Sequence, residues 1–149
     1  MDDEKLKDLR VKHLEFIQAS IARMGQNSFQ MKNWTIVVLA ALVVLYVENK
    51  SVVCLFALLI ATVVFWFLDG YYLYQEKRFR DLYDAVARGV RDEHIGAGND
   101  EVPLFSMDPV GRYGFVVWVE CVISGTEFWM YAPIVFGTVF AIVHYFLSI

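Results

Sequence analysis

Two groups of side chains in this chain have types and spacings that could do chemistry. The first is cationic. Lys77, Arg80, Asp84, Arg88 and Arg91 follow one another at intervals of three, four, four and three, with Arg78 beside them and Arg112 further on. Such intervals place side chains on one face of a helix. Tyr83, like Tyr74 and Phe79, could add an aromatic surface to that face. Cations beside aromatic rings suit an anion that carries stackable bases, such as single-stranded nucleic acid. The same cations beside a bilayer would set topology and touch anionic head groups. Both uses are open to Lys77, Arg78, Arg80, Tyr83, Arg88, Arg91 and Arg112.

The second group is acidic. Glu120 and Glu127 are seven residues apart, with Ser124 between them, and the stripe continues through Tyr131, Ile134, Thr138 and Tyr145. A polar stripe entering an apolar helix is costly against lipid and natural against a water-filled path. In a symmetric oligomer each carboxylate becomes a ring, and acidic rings favour cations. Glu120, Ser124, Glu127, Tyr131 and Thr138 are therefore candidate pore-lining residues. The competing reading has the two glutamates capping a helix or pairing with Arg112 or Lys32. Asp69 poses the same choice between lining a pore and pairing helices at a membrane edge.

Enzyme chemistry finds no foothold. The sequence contains no phosphate-cradling glycine loop, no HExxH and no GxSxG. His13, His94 and His144 are scattered, and His13 shares an apolar stripe with no second ligand at metal spacing. Cys54 and Cys121 sit in apolar runs, where free cysteine behaves as a small hydrophobe. No catalytic residue, metal site or cofactor is expected.

The elements that must position these groups are membrane helices. Of 149 residues, 58% are hydrophobic and 20% charged, more apolar and less charged than a soluble domain, and mean hydropathy is +0.46. Net charge is −4, which argues against a whole-surface nucleic-acid binder. The charged start, MDDEKLKDLRVKHLEF, lacks the apolar core of a signal peptide. Leu6, Leu9, His13, Phe16, Ile17, Ile21 and Met24 predict an amphipathic helix within residues 1–33. Gln26, Gln30 and Asn33 share a face just before the membrane, where amides bond across helices or meet water. Residues 34–74 read as a transmembrane hairpin. Its first arm, WTIVVLAALVVLYV, needs Phe29 and Met31 to reach across, with Lys32 snorkelling outward, and Glu48–Asn49–Lys50 forms the turn. The second arm starts at Ser51, meets Asp69 and the interfacial rings Tyr71, Tyr72 and Tyr74, and continues unbroken to Val90. Beyond the membrane Phe79, Tyr83, Val86 and Val90 keep an apolar stripe.

Residues 75–127 then comprise that helical continuation and a proline- and glycine-bearing loop over 95–114. The stretch from 115 to 127 admits three placements: a cytoplasmic helix, an interfacial one, or the start of the last span. Residues 128–149 contain no Asp, Glu, Lys or Arg and read as a third span. Lys and Arg number six in residues 1–33, one in the hairpin turn and six in 75–127. The positive-inside rule then puts the N-terminus and the 75–127 segment in the cytoplasm, and the C-terminus outside. The fold class is an all-α integral membrane protein with three transmembrane helices and cytoplasmic helical extensions.

HLEFIQASIARMGQNSFQMKNW, a short hairpin, and then FWFLDGYYLYQEKRFRDLYDAV together resemble the SLATT-type membrane effectors of bacterial anti-phage defence, most of all the ion-channel effectors of Hailong systems. The likeness covers residues 13 to 86. It implies a homo-oligomeric ion channel, a tetramer, in the bacterial inner membrane. A partner nucleotidyltransferase would make a single-stranded oligodeoxyadenylate that holds the channel closed. Loss of that ligand would depolarise the membrane and abort infection. The family pattern supplies no ligand-binding residues to carry over. Against this stands an alternative from the residues alone: a non-conducting membrane adaptor or sensor whose cytoplasmic helices recruit a partner.

Overall fold

The computed structural model describes residues 3–93, 105–108 and 114–148. Four helices account for nearly all of them: α1 (Asp3–Asn49), α2 (Val52–Glu93), α3 (Phe115–Val122) and α4 (Gly125–Leu147), with no strand among the described residues. The amphipathic stretch and the first span expected near the N-terminus are one uninterrupted helix of 47 residues. No proline lies between them, and nothing else in that stretch releases the i→i−4 ladder.

The hairpin turn is tighter than Glu48–Asn49–Lys50. Helix α1 runs through Asn49, and Lys50 takes a left-handed φ of 50° while its N–H donates to Tyr46 O at 2.8 Å. That is the left-handed helix ending usually given to glycine or asparagine. Ser51 then caps α2, its Oγ accepting the Val53 N–H at 3.3 Å. The second arm runs for 42 residues, close to the Ser51–Val90 expected from its two stripes.

Packing divides α1 and α2 into two zones. Towards the free ends, Ile17, Leu82 and Val86 form a buried cluster flanked by Leu14, Ile21, Phe79 and Tyr83. The expected stripes thus meet in part: Ile17 and Ile21 face Phe79, Tyr83 and Val86, and Leu14 and Leu82 join them from outside the stripes. Phe16 is exposed, and the side chain of Val90 lies outside the described residues. His13 is buried there as a packed residue. Its Nε2–H donates to Ser106 O at 2.9 Å, and Phe105 lies against both His13 and Phe16.

The other zone is inverted. Ile36, Val37, Val43, Val44 and Val47 of α1, Val53, Phe56, Ile60 and Val64 of α2, and Phe136, Phe140 and Val143 of α4 face outward. Thr35, Thr62, Asp69, Glu127 and Thr138 face inward. Each threonine returns its hydroxyl to the carbonyl four residues back, at Met31, Leu58 and Ile134. Apolar outside and polar inside is the arrangement a bilayer favours, because polar groups there must be satisfied internally. α1, α2 and α4 are each long and apolar enough to cross a membrane.

α3 lies across α2 at Gly70. A Cβ on Gly70 would meet Val122 Cγ2 at 2.5 Å, so the crossing distance depends on glycine at that position. Trp66 Nε1 donates to Val122 O at 2.8 Å, and Phe67 stacks on Trp118. α3 carries these contacts beside the end of the second apolar run that lies away from the hairpin turn.

Candidate functional site: a buried charged junction

Where α1, α2 and α4 meet, a lysine is held between two carboxylates. Lys32 Nζ lies 2.5 Å from Asp69 Oδ2 and 2.9 Å from Glu127 Oε1, and donates to Ser28 Oγ at 3.0 Å. An ammonium has three N–H donors, and these three acceptors use all of them. Ser28 passes its own hydrogen to Asp69 Oδ1. Tyr131 Oη donates to Asp69 Oδ2 at 3.2 Å and lies 3.4 Å from Thr35 Oγ1, with its ring stacked on Trp66. Asp69 and Tyr131 are fully enclosed and Glu127 is 2% exposed.

Local sequence explains the convergence. Ser28, Lys32 and Thr35 recur at i, i+4 and i+7 on α1, and that face turns towards α2. Gln26, Gln30 and Asn33 have the same spacing but point outward. Lys32, expected to snorkel outward, turns inward, because two buried acids at its level demand a cation. The pairing of Glu127 with Lys32 and the helix-pairing role of Asp69, each weighed against pore lining from sequence, are the contacts observed in the chain. Ser28 and Thr35 are partners that the sequence reading does not include. Their signal was available: a Ser-Lys-Thr face entering an apolar run, facing an acid on the other arm.

The shared face of Glu120 and Glu127 does not form, because the chain leaves the helix at Ile123–Ser124 between them. Glu120 is exposed on α3, Ser124 is half-buried, and Glu127, Tyr131 and Thr138 are buried against the other helices. The cationic face is solvent-exposed at Lys77, Arg80, Asp84 and Arg88. Arg80 is engaged by Glu76 at 2.6 Å, Arg88 Nε donates to Asp84 O at 3.2 Å, and Arg78 lies over the Tyr74 ring. Tyr83 packs against the Ile17–Leu82–Val86 cluster. The side chain of Arg91, and Arg112 entirely, lie outside the described residues.

One further feature joins the two sequence-derived groups. A groove of about 290 Å³ between α2 and α3 is lined by Glu76, Lys77 and Arg80 on one side and Glu120, Cys121 and Ser124 on the other. Cations and acids that sequence spacing treated separately thus share a surface. Burial pushes the Cys121 thiol up, away from the thiolate form.

No protein-family model, curated protein or solved structure matches this chain.

Proposed function

We propose that this chain is the pore-forming subunit of a gated ion channel, an effector of a bacterial anti-phage system resembling the Hailong type. The observation that carries the reading is the Lys32–Asp69–Glu127 junction, enclosed among three helices whose outer faces are apolar. Ionisable residues inside a membrane bundle are expensive to keep and mark ion paths or gates. α1 and α2 also run on well past the length a bilayer requires, linking this junction to the exposed Lys77, Arg80 and Arg88.

In the proposed assembly α1, α2 and α4 each cross the bacterial inner membrane. The N-terminus and the far end of α2 are cytoplasmic and the C-terminus is outside. Several copies, four by resemblance, surround a path whose mouth carries Glu120. A single-stranded oligodeoxyadenylate made by a partner nucleotidyltransferase binds the cationic face and keeps the path closed, and its removal depolarises the membrane. Ser124, Glu127, Tyr131 and Thr138 pack between helices in the single chain and line the path only if α4 turns on opening.

Expression without ligand, read by a voltage-sensitive dye and by conductance in planar bilayers, tests this. Ligand-suppressible current is expected, with selectivity altered by Glu120→Gln. Inserted protein that passes no current and leaves the potential intact overturns the channel reading. That result leaves the adaptor reading, which the exposed Val11 and Phe16 on the α1 arm favour as a surface for a recruited partner.

A further inference from the structure

Within the junction, acceptors outnumber donors. Lys32 directs one N–H each to Ser28, Asp69 and Glu127, while Ser28 and Tyr131 both give their hydrogens to Asp69. Asp69 therefore accepts from three groups. Glu127 accepts from one, at Oε1, and its Oε2 is buried with no hydrogen-bond partner. One ammonium and two carboxylates, if both are ionised, also leave one uncompensated negative charge. Burying an unpaired charge costs far more than burying a neutral polar group.

The position of Glu127 makes the excess harder to dismiss as a helix-end detail. Ser124 and Glu127 have the spacing of a capping box, in which serine bonds the third residue's N–H and glutamate reaches back to the serine N–H. Ser124 makes no side-chain cap bond, and its Oγ is also buried without a partner. Glu127 has forgone the helix end and entered the junction. The positive end of α4 offsets only a small part of its charge, too little for an enclosed carboxylate.

We propose that the junction is a proton-binding site, with one proton held on the Glu127 carboxyl beside an ionised Lys32–Asp69 pair. The proton belongs on Glu127 because Asp69 already accepts hydrogen bonds from Lys32, Ser28 and Tyr131, whereas Glu127 accepts one and its Oε2 is left without a partner. A metal ion fits less well. No group of three His, Cys, Asp or Glu gathers among the described residues, and the other oxygens of the junction already take part in hydrogen bonds. The titratable groups facing Glu127 are Lys32 from α1, Asp69 from α2 and Tyr131 from its own helix. Glu120 and Cys121 of α3 line the neighbouring groove. The inference stands whether or not the chain conducts.

Infrared spectroscopy of the full chain in lipid vesicles at neutral pH tests it through the protonated-carboxyl stretch. The band should be present in the wild type and in Glu120→Gln, and lost in Glu127→Gln. Glu127→Gln should insert and fold normally, since a neutral isostere is what the site holds, while Asp69→Asn should lower thermal stability. Absence of the band in the wild type overturns the proposal. So does a band that survives Glu127→Gln, or a Glu127→Gln chain that fails to fold.

Discussion

Two of the charged regions of the chain obey opposite physical rules. At the three-helix junction, Asp69 and Glu127 are shut away from water, Lys32 is largely covered, and each hydrogen bond has few substitutes. On the far half of α2, Lys77, Arg80 and Arg88 stand in solvent, and the Arg80–Glu76 pair is a surface contact between residues four apart. Coulomb attraction between close charges is several-fold stronger in the first setting than in the second, but so is the cost of leaving a charge alone. Buried charge therefore determines which helices meet, while exposed charge is left available for a ligand.

The sharpest way to break this contrast is Lys32→Met, which leaves the ionised Asp69 without its cation and Glu127 without its hydrogen-bond donor. It should cost about 3–5 kcal/mol, read as a lowered midpoint when the detergent-solubilised protein is titrated with denaturant. Neutralising all three positions together, with Asp69→Asn and Glu127→Gln added, should recover much of that loss. If the single change were harmless, the junction would not hold the helices. Next in size is Leu82→Ala in the apolar arm, with an expected loss of about 2–5 kcal/mol by the same titration. This change should leave junction spectroscopy untouched.

Gly70→Ala comes third. Its Cβ would press on Val122, and relief by shifting α3 should cost about 1–3 kcal/mol. A change in Trp66 or Trp118 fluorescence should report the displacement, and an unchanged spectrum with full stability would deny the close crossing. The smallest stability effect belongs to Arg80→Ala. With the side chain 64% exposed and its pair screened by solvent, the loss should stay below about 0.5 kcal/mol. On the proposed function, the same variant should nevertheless weaken binding of added oligodeoxyadenylate and flatten its salt dependence. Large destabilisation with unchanged binding would reverse the assignment of roles.

How much of this was legible follows from the kind of signal each feature leaves. Period and hydropathy are local, so the long second helix, the hairpin and the last apolar run could be read directly, as could an apolar stripe on each arm. Leu82, at the centre of the packed cluster, nevertheless lies outside the stripe read for its helix. Side-chain partners are not local. Lys32 beside a bilayer has a standard outward solution, and only the arrival of Asp69 from 37 residues on and Glu127 from 95 residues on makes the inward one favourable. The break at Ile123–Ser124 was hidden because apolar runs on both sides mask a two-residue interruption. A seven-residue spacing across it then placed Glu120 and Glu127 on a face that the chain does not build.

The unbroken length of α1 has a mechanical consequence. At about 1.5 Å per residue its 47 residues extend roughly 70 Å, more than twice a hydrocarbon core of about 30 Å. The charged junction grips this rod at Lys32, leaving an arm of about 44 Å between that fulcrum and Asp3. Because Ile17 packs on Leu82 and Val86, this arm moves together with α2. A tilt of about 5° about the fulcrum would carry the tip about 4 Å, roughly 70% of the height of a helical turn. The leverage also runs backwards: a push of that size on the tip reaches the ion pairs as a displacement of only a fraction of an ångström.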